Sequence, residues 1–151
     1  MSETQRIADQ LRRAFGGDAW HGPSVEETLQ GVHADMAFAK PIPAAHSIWE
    51  IVLHLDAWHR AVRRRLEGEA VELTDEQDWP PVEISSREDW QTALQSLRRG
   101  YEELLKVVGD LSDERLAAKA PGRDHSVYHM VHGLIQHDLY HAGQIAILRR
   151  G

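Results

Sequence analysis

Apolar residues recur along this chain at steps of three and four, the spacing that gathers them on one stripe of a helix. In residues 47–67 the stripe runs through Ile48, Ile51, Val52, Leu55, Trp58 and Val62. In residues 125–149 it runs through Val127, Met130, Val131, Leu134, Ile145 and Leu148. Ser2/Gln5, Ser24/Glu27, Ser47/Glu50 and Ser85/Glu88 each fit a capping box, in which the two side chains satisfy backbone amides reciprocally. Gly16-Gly17, Gly68 and Gly109 fall where a left-handed residue closes a helix. These marks predict four long helices over 3–15, 47–67, 86–108 and 125–149, with a shorter helix near 24–34 and a turn near 112–118. "GGDAWHG" and "KPIPAAH" flank the short helix, and "LTDEQDWPPVEI" reads as a loop because paired prolines cannot continue a helix. Strand patterning is nearly absent. The expected architecture is an all-α four-helix bundle, with a long crossover between its first two long helices. The 151 residues suit a single domain over 1–151.

Composition changes this picture little. Hydrophobic residues make up 42% and charged residues 27%, values of a packed chain rather than a disordered one. The net charge of −7 argues against a nucleic-acid partner, which requires a basic face. Arg63, Arg64 and Arg65 form the one basic cluster, and a solvated face beside a helix C-terminus accounts for it. The N-terminal "MSETQRIADQLRRAFGG" is charged throughout and unlike a signal peptide, and no apolar run approaches membrane-spanning length. A cytoplasmic protein with no membrane partner is expected.

The chemistry narrows more. There is no cysteine, so any metal must be held by His, Asp or Glu. Five of the ten histidines fall between 125 and 141. Projected at about 100° per residue from His125, the apolar arc of the last helix covers roughly 140–240°. His125, His129 and His132 lie opposite it, which predicts an inert pair facing solvent. His137 and His141 fall at about 120° and 160°, in or beside the apolar arc. Two imidazoles four apart can ligate one cation from the same side of a helix. The competing reading is a pair of core histidines satisfied by hydrogen bonds. A third ligand must come from another helix, and helix 47–67 offers His54 and His59. Periodicity does not decide between them and slightly favours His59.

Two segments carry a family resemblance: "AHSIWEIVLHLDAWHRAVRRRLEG" at 45–68 and "GLIQHDLYHAGQIAILRR" at 133–150. The chain resembles the DinB superfamily of DinB-like or YfiT-like metal-dependent hydrolases, with "HSIWEIVLHL" and "YHAGQI" the most specific pieces. That resemblance implies a four-helix bundle of up-up-down-down order and a divalent metal, zinc or nickel, on His54, His137 and His141. His59 then becomes a structural or rim residue. Three neutral imidazoles leave coordination open for water, thiol or substrate. The resemblance implies a metal-dependent hydrolase, or a transferase using a low-molecular-weight thiol, acting on a small molecule, with homodimerisation as an analogy. Catalytic residues are left unassigned. The alternatives are a non-catalytic, metal-dependent stress or small-ligand-binding protein on the same scaffold, and a bundle with no metal at all. Glu50 stands one turn before His54 and is a candidate to orient its ring, although it already has a capping use. Asp138 and Tyr140 project to either side of the pair, Gln144 lies near the His137 side, and Trp58 is the tryptophan best placed to line a pocket.

Overall fold

Each helix begins where a polar side chain can take up the amides that its first turn leaves free. The computed structural model describes residues 1–151 and is all-α. Its helices are α1 (Glu3–Gly16), α2 (Val25–Leu29), α3 (Ala34–Phe38), α4 (Ile48–Leu66), α5 (Asp75–Asp78), α6 (Arg87–Gly109), α7 (Asp113–Ala117) and α8 (Val127–Leu148). None is long and apolar enough to cross a membrane. The boxes at Ser2/Gln5 and Ser24/Glu27 close reciprocally. At α4 only half the expected box forms: Ser47 accepts from the Glu50 amide, while the Glu50 carboxylate turns to His46 and Lys40. α6 starts one residue later than expected, with Ser86 accepting from the Asp89 amide at 3.0 Å.

Two expectations for the connections are corrected. The helix anticipated near 24–34 is two helices, α2 and α3, separated at Gly31, whose φ of 77° no helix accommodates. The loop holding the paired prolines contains α5, opened by a Thr74/Gln77 capping box of the kind recognised elsewhere in the chain.

The four long helices form a ring of contacts: α4 packs on α6 and α8, and α1 packs on the same two, leaving α1 and α4 diagonal. Their directions follow from paired positions. Trp49 meets Trp90, Asp56 meets Ser96 and Arg63 meets Glu103, so α4 and α6 run parallel. The Thr4 amide donates to Asp113 just beyond α6, and Phe15 stacks on Tyr101, so α1 is antiparallel to α6. His54 faces His141 and Trp58 faces His137, so α8 is antiparallel to α4. The resulting order is up-down-down-up, which corrects the up-up-down-down expectation. The connection that must return along the bundle is therefore 67–86, between α4 and α6, rather than 17–47. It spans the length of α4, about 28 Å at 1.5 Å per residue.

Gly100 sets the α4–α6 approach. A Cβ there would lie 2.7 Å from Asp56 Oδ1, an atom already accepting from Arg60 Nε at 2.9 Å. The core is conventional, built on Ile7, Leu11 and Phe15, on Ile51, Val52 and Leu55, and on Trp90, Leu97, Leu104 and Ile145. Its exception is a polar pair between α4 and α8. His59 and Asp138 are both fully buried, with His59 Nε2 2.8 Å from Asp138 Oδ1 and Phe15 edge-on to the imidazole. Neither His59 Nδ1 nor Asp138 Oδ2 has another protein partner.

Removing one member of such a pair strands the other in an apolar interior. His59→Ala is expected to lower the free energy of unfolding in urea by about 3–5 kcal/mol. Converting both residues to Leu should restore a large part of that loss. A His59→Ala protein as stable as wild type would show that the pair does not hold α4 to α8.

Candidate metal centre

The inward stripe of α8 carries two kinds of residue at once. Asp138 points into the core, while His137 and His141, one position before and three after, turn towards α4. There they meet His54, and one ligand atom from each of the three rings lies within 4.8 Å of the others. His54 Nε2 and His137 Nε2 are 2.9 Å apart. Two nitrogens bound tetrahedrally to one zinc stand roughly 3.4 Å apart, a spacing that follows from the usual bond length. One pair lies closer than that and all three donors stay within 4.8 Å, so small ring shifts suit the set to a single small cation.

The far sides of the rings are oriented by hydrogen bonds. His54 Nδ1 is 2.7 Å from the Asp78 carbonyl oxygen and 3.0 Å from Asp78 Oδ1. A proton on Nδ1 donates to those oxygens and leaves the Nε2 lone pair directed at the other two histidines. His141 Nδ1 lies 2.6 Å from Gln144 Oε1, which leaves its Nε2 free in the same way. Such outer partners fix tautomer and ring angle. Trp79 stacks on His54 at 3.8 Å and on His46 at 3.6 Å, closing one side. Trp58 Nε1 donates to Asp78 Oδ1 at 2.7 Å, tying the loop to α4.

Burial disfavours the protonated form of all three imidazoles. Desolvation lowers the pKa of His54 against the opposing pull of Asp78, and lowers that of His141 against its bond to Gln144. Desolvation again leads for His137, with the neighbouring histidines adding to it, and its pKa falls to about 3. Neutral imidazoles present lone pairs, the state a metal ligand requires. The three rings form one end of a cavity of about 700 Å³, and His141 also borders a second one of about 440 Å³.

Several expectations need adjustment. The structure takes His54 rather than His59 into the cluster, although periodicity slightly favoured the latter. Glu50 does not orient His54; Asp78 does, from a loop the helical pattern could not place. Gln144 engages His141 rather than His137. Trp58 does line the cavity. His125 and His129 are not merely a solvent-facing pair, since both line the larger cavity at the end away from His54. Trp79 and Asp78 were missed, and the Thr74/Gln77 box was the one local signal that this loop is ordered.

A family model described as the DinB superfamily matches residues 19–145, which is most of the chain. The chain belongs to that superfamily. No curated protein and no solved structure gives a match.

The depressed histidines make a prediction for the metal-free protein. Below their ordinary pKa near 6.5 the unfolded chain binds protons that the folded one refuses, so stability falls as pH drops. The urea midpoint should decline from pH 6.5 downwards, and for His137 the decline continues towards about 3. His137→Gln should flatten the limb between pH 6.5 and 5, above the range of most carboxylates. An unchanged slope in that variant would contradict the assignment.

Proposed function

We propose that the chain is a metal-dependent enzyme in which His54, His137 and His141 hold one divalent cation, zinc or nickel, facing a small-molecule pocket. The observation that carries this reading is the convergence of three imidazoles, from two helices, on one point at a cavity wall. A cation there would polarise a bound water, thiol or carbonyl. The protein's own part is positional. Asp78 and Gln144 set the ring tautomers, Trp79 covers His54, and Trp58 forms the adjoining apolar wall.

Two reaction classes suit this arrangement: hydrolysis, and transfer involving a low-molecular-weight thiol. Transfer gains support from the second cavity, which meets the first at Trp79, Tyr140 and His141 and so offers two molecules separate approaches. A non-catalytic small-ligand carrier is the second reading. It is favoured by the state of Asp78, the one carboxylate lining the larger cavity, which is engaged by Trp58 and His54 rather than free to act as a base.

Elemental analysis of untagged wild type beside His141→Ala tests the centre. About one zinc or nickel per chain is expected, lost in a variant that keeps its helical circular dichroism. Wild type that neither contains zinc or nickel nor takes them up would overturn the reading. With metal established, turnover of thiol conjugates supports transfer, while a ligand retained without turnover supports the carrier.

A further inference from the structure

The larger cavity has a second end, and its chemistry differs from that of the histidines. Arg65 lines it and is only 4% exposed, although in the same run of arginines Arg64 is exposed and Arg63 half-buried. Arg63 pairs with Glu67 and Glu103, and Arg64 pairs with Glu69. Arg65 pairs with no carboxylate. Its Nε donates to the Val71 carbonyl oxygen at 3.0 Å, and Arg123 Nη2 donates to the same oxygen at 2.9 Å. Arg123 lines the cavity too and makes no ion pair either. Two guanidinium groups thus converge on one neutral acceptor.

A structural clip on the loop after α4 accounts for one hydrogen bond from each arginine. It does not account for the rest of them. A guanidinium carries five N–H donors, and the Arg65 and Arg123 side chains each use only one of them in a hydrogen bond within the protein. Gathering two like charges at a partly desolvated wall is unfavourable without a counter-charge. Burial, with the Arg123 charge behind it, disfavours the Arg65 cation and lowers its pKa from the ordinary arginine value, against a smaller opposing pull from Glu72, which is too far away to form an ion pair. The chain has 24 acidic residues, yet none comes within ion-pairing distance of these two. An anionic ligand group would supply what is lacking.

We propose that Arg65 and Arg123 form a subsite for the anionic group, carboxylate or phosphoryl, of the small molecule that this cavity binds. The link to catalysis rests on the metal reading above; the subsite itself does not. The Arg65 guanidinium lies 5.4 Å from the Trp58 ring, and that ring lies 6.0 Å from the His137 ring. Placed end to end, those separations put the cation within about 11 Å of His137. The ligand so described has an anionic end on the arginines and an apolar or aromatic middle along Trp58, Val62 and Leu134. Its reactive end reaches the histidines. His125 and His129 flank the anionic end and can add ring N–H donors.

The test uses the full chain without metal and three probes: phenylphosphonate, phenylacetate and the neutral benzyl alcohol, titrated by calorimetry. One or both anions should bind about ten- to a hundredfold tighter than the alcohol, the range expected for charge-assisted hydrogen bonds. The stronger of the two identifies the group as phosphoryl or carboxylate. Arg123→Gln, at a half-buried position, should remove most of the preference, and Arg65→Met should do the same if it folds. His141→Ala should leave the preference intact. Equal affinity for all three probes, or an anion preference that survives Arg123→Gln, overturns the subsite. Failure of the metal reading appears separately, as absent zinc uptake with anion binding preserved.

Discussion

The buried bond between His59 and Asp138 is the constraint on which the site depends. A hydrophobic face alone allows one helix to slide or rotate against another at small cost, because apolar contacts are not directional. A polar pair with no access to water allows neither, since losing the bond leaves a carboxylate unsatisfied in the core. With His59 and Asp138 locked at 2.8 Å, the register of α8 on α4 is set. His137 and His141 are then carried to the side of α8 that meets His54. The centre is thus positioned by a contact that contributes no ligand to it.

Topology supplies the remaining walls. Because α4 and α6 run parallel, the chain must travel back along the bundle between them, and it does so over residues 67–86. That segment passes the open side of the α4–α8 groove. It supplies Asp78 and Trp79 to the wall at the histidine end, and the Val71 carbonyl oxygen that holds Arg65 and Arg123 at the other. The capping box of α5 gives the stretch the local order that a site wall needs.

Charge is sorted along the cavity. At one end, burial and mutual proximity disfavour protonation of three imidazoles; at the other, two arginines meet with no carboxylate in ion-pair contact. The rest of the chain is acidic, with a net charge of −7. A local positive wall in an otherwise negative molecule focuses attraction for anions in the pocket rather than over the surface.

The long helices were legible in the sequence, to within a residue or two at their ends, because apolar period and capping chemistry are local properties of the chain. The inward placement of His137 and His141 was legible for the same reason: a helix fixes the direction of each side chain relative to its neighbours. His54 was not, since periodicity reports whether a residue faces inward but not what it meets there, and it leaned towards His59. The helix order, the roles of Asp78 and Trp79, and the burial of Arg65 in the run 63–65 were decided by tertiary structure alone. Each depends on which segments lie side by side across a long separation in sequence. The sequence by itself therefore determined the helices and the faces they bury. Only packing decided which buried faces meet, and it did so through directional bonds between residues far apart in the chain.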